Sequence, residues 1–455
     1  MSPLIADTGT ARVLNFISNS GRHSVKHYLM EASNVQTILH NCCGLDVHKD
    51  SVVACILKTR NPLLYEHSTE DTSKEIRVFK TFQDDLAQLR NWLESENCCH
   101  VAMESTGVYW FPVYDALEDA CDGKMELIVT NARHMRNVPG KKTDIKDAEW
   151  IASLFRAGLL RGSFIPPLEV RELRQLARYR KNVVEDISTQ KNRIEKSLQQ
   201  AGFKLSTFLS DVFGVSGRNL IHILIRKGKF APADIKNVTR ISAAKKAEIK
   251  LAINGQLSVH QRQFLQLQIN HLDELFAHLS TIEQSISELS RPFEDAIARL
   301  DTIPGIAQTS AIGIIAEIGT DMSKFPTKEH FCSWAGVAPG DNMSAGKKKS
   351  TRITFGNPYI KGLICECAWA AARMRDTYLS RFYWKIKQRR GAKKAVIALA
   401  RKILVIIYQI LKNRDVYNED KFEAARQKQE FLRLKKISSD AKKLGFELVP
   451  LKKVS

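Results

Sequence analysis

"CCGLDVHKDSVVACIL" (residues 42–57) decides how this chain is read. Small and apolar residues run from Cys42 to Val47 and again from Val52 to Leu57, with the polar group His48–Ser51 between them. Two short runs of this kind around a polar turn predict a pair of strands folded back on each other. One carboxylate, Asp46, sits in the middle of the first run. An acid there either begins the hairpin turn or is held in the core for chemistry.

Outward from that stretch, "HVAMES" (100–105) reads as a strand that ends at a helix, and "MELIVTNA" (125–132) as another strand. "TDIKDAEWIASLFRAG" (143–158) reads as a helix with an acidic first turn. The pattern predicts an α/β domain over 41–165, preceded by an aperiodic extension over 1–40. Pro166 and Pro167 break it. A helical, coiled-coil-like region follows over 166–295, then a mostly helical C-terminal domain over 296–415 and a basic tail over 416–455.

In the helical region, alternating steps of three and four connect Leu173, Leu176, Arg180, Val183, Ile187, Gln190, Ile194 and Ser197. A second set connects Leu265, Gln268, Leu272, Leu275, Leu279, Ile282, Ile286 and Leu289. Three arrangements satisfy two such stripes: an antiparallel hairpin, a dimerising coiled coil, or packing within a bundle.

The chain has 455 residues, 44% hydrophobic and 26% charged, enough for two or three domains with a sizeable core. Its net charge of +20 favours polyanionic partners, nucleic acid ahead of an acidic membrane surface. The long apolar run "AVIALARKILVIIYQIL" (395–411) is interrupted by Arg401 and Lys402 and reads as a buried helix rather than a span. No signal-peptide pattern opens the chain. Nine cysteines without a CxxC pair argue against a zinc module or a disulfide framework, and for a reducing cytoplasm.

Four acids stand out: Asp46, Glu104 at the end of a predicted strand, and Asp144 with Asp147, three apart on one helix face. Each has a plain structural reading, since Asp46 could open a turn, Glu104 could cap the next helix, and Asp144 and Asp147 suit a helix N-terminus. As a set they can converge, and such an oxygen-rich point suits Mg²⁺, with Lys141, Lys142 and Lys146 beside it for a polyanion.

"GLDVHKD", "AMESTGVYW" and "KKTDIKDAEWIA", in that order, resemble the N-terminal domain of the DEDD-class insertion-sequence transposases, relatives of the Piv/MooV DNA invertases. The resemblance implies a fold similar to RNase H and the RuvC resolvase. It also implies that Asp46, Glu104, Asp144 and Asp147 are the metal-binding catalytic quartet, for Mg²⁺ with Mn²⁺ as the substitute.

Two further motifs lie in the C-terminal half. "IPGIAQTSA" (303–311) looks like the turn of a helix-hairpin-helix, in which Pro304 and Gly305 set the bend and backbone N–H groups meet a phosphate; Ala307 replaces the usual second glycine. The competing reading is an ordinary helix–helix turn. In "GDNMSAGKKKS" (340–350), Ser344 could solvate a basic loop, cradle a phosphate or attack one. A phosphate-binding P-loop is excluded: five residues separate Gly340 from Gly346, Lys348 stands where Ser or Thr is required, and no strand is evident before it. Lys347, Lys348, Lys349 and Arg352 supply cations, but no histidine lies close in sequence to serve as a base.

"FCSWAGVAPGDNMSAGKKKSTRITFGNPYIKGLICECAW" (331–369) resembles the C-terminal domain of the same transposases. There the serine before a small Gly-rich pair joins covalently to DNA, which implies that role for Ser344, ahead of the rival serines Ser333 and Ser350. Ala345–Gly346 replaces the family's Gly–Gly. The resemblance further implies a bridge RNA, a structured non-coding RNA that pairs with target and donor DNA, and a cytoplasmic, nucleoid-associated homo-oligomer (dimer or tetramer) with no membrane partner. The alternatives are a metal-dependent nuclease or junction resolvase that uses the quartet alone, and a non-catalytic nucleic-acid-binding protein.

Overall fold

The computed structural model describes residues 39–60, 72–105, 107–131, 144–231, 234, 252–340, 342–344, 347–350, 352–353 and 355–446. The expected 1–40 extension therefore lies almost wholly outside the described residues, as do Lys141 and Lys142. The chain divides into two compact units, 1–165 and 166–455.

In the first unit, β1 (Asn41–Val47) and β2 (Ser51–Thr59) form the antiparallel pair, with Asp46 opposite Val53. The turn closes with the His48 N–H donating to the Ser51 carbonyl at 2.9 Å. Next to β2 runs β3 (Thr72–Lys80), antiparallel; β4 (His100–Glu104) and β5 (Glu126–Thr130) add in parallel on the other side of β1. The mixed five-stranded order is β3-β2-β1-β4-β5.

Both faces of this sheet are covered, which is why β1 and β2 read as continuous apolar runs rather than strict alternation. Cys43, Leu45, Val47, Val52 and Ala54 pack with Leu89 and Trp92 of α1 (Gln83–Ser95) and Val113 of α2 (Trp110–Leu117). Cys42, Val53, Cys55 and Ala102 pack on the other face with Ala148, Ile151, Ala152 and Phe155 of α3 (Asp144–Arg156).

Gly44 explains how α3 comes so close. A Cβ there would lie 2.3 Å from the Ala148 carbonyl oxygen and 2.4 Å from the Ala152 nitrogen. Only a residue without a side chain lets the helix backbone rest on the strand. Cys99 and Cys121 are bonded as a disulfide, and the other seven cysteines are free.

The second unit is mainly helical. Its longest elements, α4 (Leu168–Gln200) and α6 (Val259–Ser290), pack side by side, with α5 (Val215–Lys227) between them in sequence. Arg180 binds Glu283 while Gln190 donates to the Gln268 carbonyl at 3.0 Å, so the helices run antiparallel within one chain. The hairpin arrangement is the one realised. Its buried seam is Val183, Ile187, Gln190, Ile194 and Leu198 against Leu265, Ile269, Leu272, Ile282 and Ile286. Strict heptad stepping misses Leu198 and Ile269 by one residue, because the apolar stripe of a packed helix is wide enough to take neighbouring positions.

After α7 (Glu294–Asp301), α8 (Gln308–Ile318) and α9 (Lys328–Trp334), the chain forms a two-stranded hairpin of β6 (Asn342–Ser344) and β7 (Lys347–Ser350). Ser344 thus lies on a strand, where the sequence reading expects a loop. Lysines and serine have little intrinsic strand preference, and pairing with the neighbouring strand overrides it.

α10 (Pro358–Arg373), α11 (Tyr378–Arg390), α12 (Ala392–Asn413) and α13 (Glu423–Lys443) complete the unit. The apolar run 395–411 is α12, lined by buried Leu399, Ile403, Leu404 and Ile407. Among the described residues no helix is long and apolar enough to cross a membrane.

Candidate functional sites: acidic strand ends and a serine hairpin

Parallel pairing of β1 with β4 sets the geometry of the acids. Leu45 stands opposite Met103, and Asp46 and Glu104 are the next residues on the two strands. Two carboxylates therefore lie side by side at the C-terminal ends of adjacent parallel strands, the edge where open α/β sheets hold ligands. Asp46 is only 6% exposed. Its Oδ2 is 3.1 Å from His48 Nε2, and the His48 side chain is 44% exposed. A buried carboxylate needs such a partner, and the half-exposed imidazole connects it to solvent.

Glu104 and Asp147 are half-buried. Asp147 immediately precedes Ala148, whose carbonyl rests on Gly44, two residues from Asp46 in β1. Asp144 is the first residue of α3, and its side chain lies outside the described residues. Thr130, opposite Glu104 on β5, is fully buried, and its hydroxyl has no partner among the described residues. Sequence reading passed over it, since a threonine at a strand end carries no signal of its own.

Among the described residues, no three His, Cys, Asp or Glu side chains gather into a metal-holding group. The described acids Asp46, Glu104 and Asp147 are all oxygen donors, and Thr130 stands opposite one of them, Glu104, although the described side chains do not close around a single point. That donor set fits a hard cation such as Mg²⁺ and not a thiolate-seeking one. The cysteines are unsuited to ligation: burial pushes the Cys42, Cys55 and Cys98 thiols up to about 12, and those of Cys332 and Cys367 to about 11.

In the second unit, Ser344 ends β6 and pairs with Lys347 of β7; Ala345 and Gly346 lie outside the described residues. The side chains of Ser344, Lys347, Lys348, Lys349 and Ser350 lie outside the described residues. The hairpin's base is tightly specified. Pro339 bridges to Ile353, and the Gly340 N–H donates to the Arg352 carbonyl at 2.9 Å. A Cβ on Gly340 would meet that same oxygen at 2.4 Å, and one on Gly356 would meet the Gly336 nitrogen at 2.3 Å. Arg352 is exposed at this crossing. Ser333 is half-buried in α9.

Below the crossing lies a group the sequence reading missed. Glu317 on α8 is only 4% exposed and accepts from Arg178 Nε at 2.7 Å and Nη2 at 2.8 Å. The Asn357 side-chain amide donates to its Oε2 at 2.7 Å, while Asn357 Oδ1 caps α10 through Tyr359 and Ile360. Arg174 donates to the Ala316 and Glu317 carbonyls, and burial lowers its pKa to about 10, still charged at neutral pH. Arg178 also stacks on the Tyr359 ring, 3.9 Å from its centroid. This node joins α4, α8 and the chain leaving the hairpin. A lone acid in the apolar "AIGIIAEIG" was the available signal.

Gly305 has φ +90°, and a Cβ there would lie 2.5 Å from the Ala371 nitrogen. The Pro304–Gly305 turn is thus pressed onto α10, which supplies a packing reason for the motif. Ala307, Gln308 and Thr309 beyond it are exposed at an α8 N-terminus with no side-chain cap.

Both halves match known families. A DEDD-type IS110 transposase family model matches residues 43–203. The model described as Transposase IS116/IS110/IS902 family matches residues 297–384. The chain is 25% identical over 343 residues to a probable family 20 transposase of Pseudomonas aeruginosa, covering 73% of this chain and 89% of that one. It is 26% identical over 139 residues to the transposase for insertion sequence element IS1111A of Coxiella burnetii, 30% of this chain and 38% of the relative. It is also 24% identical over 166 residues to the pilin gene-inverting protein of Moraxella bovis, 36% and 51%. With the two family matches in order along one polypeptide, the chain belongs to the IS110/IS116 family of transposases.

Proposed function

We propose that this transposase cuts and rejoins DNA through a covalent phosphoserine at Ser344. Ser344 Oγ attacks a backbone phosphorus, the bond to one deoxyribose oxygen breaks, and that oxygen leaves as a hydroxyl with a proton. Attack by the hydroxyl of another strand reverses the chemistry and frees the serine. The number of phosphate ester bonds is unchanged throughout, so rejoining needs no ATP.

The observation that carries this reading is the strand pair: Ser344 is the last residue of β6, paired with Lys347 of β7, in a segment whose base is clamped by Gly340, Gly356 and the Glu317–Asn357 contact. A nucleophile at the end of a paired strand with a fixed base can be presented to a large substrate without being loosely held. Lys347, Lys348, Lys349 and Arg352 surround it in sequence and suit the phosphates on either side.

Asp46, Glu104, Asp144 and Asp147 would hold Mg²⁺, or Mn²⁺ in its place, in an RNase H/RuvC-like domain. The mixed sheet and the adjacent strand-end acids support that assignment. When bound, the cation supplies positive charge for a phosphate whose negative charge grows in the transition state. His48, against Asp46, keeps that carboxylate oriented and can hold a proton at Nε2.

Sequence choice is delegated to a bridge RNA that pairs with target and donor DNA; the charge of +20 supports a partner of that kind. Exchange between two duplexes needs more than one nucleophile, so the working form is a dimer or tetramer acting on DNA in a prokaryotic cytoplasm.

The test is covalent trapping. Wild-type and Ser344→Ala proteins, with RNA transcribed from the element's flank and Mg²⁺, are incubated with labelled element-end DNA and resolved under denaturing conditions. A protein–DNA adduct that requires Ser344 is expected. Cleavage by both proteins without an adduct would make the chain a hydrolytic metallonuclease that uses the acids alone.

A further inference from the structure

Half of the chain's net charge is concentrated in 30 residues that neither site uses. Residues 373–402 carry eleven lysines and arginines against a single acid, Asp376, a net of +10 out of +20. They run from the last residue of α10 through α11 and the turn at Gly391 into the first half of α12. Lys385, Arg389, Arg390, Lys393 and Lys394 are exposed. Arg381 is paired with Glu419, but among the described residues no carboxylate neutralises those five. Like charges this dense repel one another, and a solvated helix face with no partner gains nothing from the arrangement.

Aromatic rings are set among the cations. Trp384 on α11 is 49% exposed and Trp369 on α10 is 42% exposed. Buried Tyr383 backs both, its ring centroid 5.9 Å from that of Trp369 and 5.5 Å from that of Trp384. Lys387 Nζ sits 4.0 Å from the Trp384 ring centroid. Indoles left about half in water are unusual for a residue type that is highly buried on average. They are what an unpaired base needs: a π-face to stack on and a cation for the phosphate beside it.

Gly391 makes the geometry possible. Its φ of +81° lets α11 stop and α12 start again within one residue, so Arg389, Arg390, Lys393 and Lys394 flank one turn. The α12 N-terminus has no side-chain cap and no acid in its first turn, so its N–H groups add to the positive field there.

We propose that this face of α11 and early α12 binds single-stranded nucleic acid, gripping phosphates with its lysines and arginines and stacking bases on Trp384 and Trp369. Stacking and charge read neither sequence nor sugar, so unpaired RNA and DNA are held alike. The proposal rests on the nucleic-acid reading above but not on the serine chemistry.

The experiment uses full-length Ser344→Ala protein in EDTA, so that strand cleavage plays no part. Fluorescein-labelled RNA and DNA single strands of about 20 nucleotides, longer than a typical single-strand site, and the matching DNA duplex are titrated by anisotropy over a range of salt. Trp384→Ala should weaken binding of both single strands about ten-fold, with the salt slope and duplex binding unchanged; Trp384→Phe should restore most of it. Lys393→Ala with Lys394→Ala should lower the salt slope by about 0.7 for each phosphate that is no longer neutralised, equally for RNA and DNA.

Single-strand affinity unchanged in a folded Trp384→Ala protein, with an unchanged melting curve, overturns the proposal. So does a lysine variant that loses only binding to phosphatidylserine vesicles, which would make the face a membrane-binding surface. A wild-type protein that binds strands here yet forms no adduct counts against the serine chemistry and leaves this surface standing.

Discussion

Gly44 and Gly362 show how one substitution can have opposite signs. At Gly44 a methyl group meets two backbone atoms of α3 at 2.3 and 2.4 Å, and backbone cannot step aside as a side chain tip can. Gly44→Ala should destabilise the first unit by about 3 kcal/mol, as overpacking against a rigid neighbour does. At Gly362, inside α10, only Lys181 Nζ comes within 3.9 Å, so Gly362→Ala should be neutral or stabilising by up to ~1 kcal/mol through helix propensity. Urea denaturation of the two variants separates them. Equal effects would mean that α3 does not rest on Gly44. Glu317 is the second residue whose environment decides the outcome. Glu317→Ala strips the partner from Arg178 in a buried site and leaves Asn357 without its acceptor, a loss of about 3–5 kcal/mol. Glu317→Gln keeps an acceptor for Asn357 but not the charge, and should fall between. A Glu317→Ala protein as stable as the parent in urea would remove the node from the account of the hairpin base.

Among the elements, the α4–α6 pair separates seam from ornament. Ile187 is 5% exposed in the seam, so Ile187→Ala should cost about 2–5 kcal/mol. Arg180, whose pair with Glu283 is largely open to water, should cost less than about 1 kcal/mol when changed to Ala. Thermal denaturation of the two variants orders them, and a larger loss at Arg180 would show that the pair is held by charge. The contrast also explains what the sequence made legible. β1, β2, β4, β5 and α3 announce themselves through apolar runs that a doubly covered sheet requires, and Asp46 and Glu104 are conspicuous because they interrupt or end such runs. β3 is different: "TSKEIRVFK" is an edge strand with mostly exposed or half-exposed positions, so its pattern is polar. The β6–β7 hairpin is masked by its lysines. The Glu317 node spans 139 residues to Arg178, and no local pattern reports a contact of that range. The α4–α6 stripe is visible in sequence, but a stripe does not name its partner, and only the cross-helix contacts choose between a hairpin and a dimer.

At the scale of the whole molecule, the free cysteines tie stability to pH. In the first unit Cys42, Cys55 and Cys98 are fully buried, and desolvation pushes each thiol from near 9 up to about 12. Folded protein therefore keeps three protons that the unfolded chain gives up as pH passes 9. Protons bound in the folded state and absent from the unfolded one make stability fall with rising pH. The contribution is complete below pH 9 and is lost between 9 and about 12, at up to ~1.4 kcal/mol per pH unit for each thiol. Lysines and tyrosines titrate in the same range, so the informative quantity is a difference. A chain carrying Cys42→Ala, Cys55→Ala and Cys98→Ala should be less stable than the parent at pH 7, because three buried sulfurs are lost from close-packed sites. That deficit should shrink steadily from pH 9 to 11 as the parent loses what the thiols contributed. Urea midpoints of both proteins at pH 7, 9, 10 and 11 test this directly, with the melting of the first unit followed by its own probe. A deficit that stays constant across the series would mean that the thiols ionise in the folded core as readily as in water, against the packing that surrounds them.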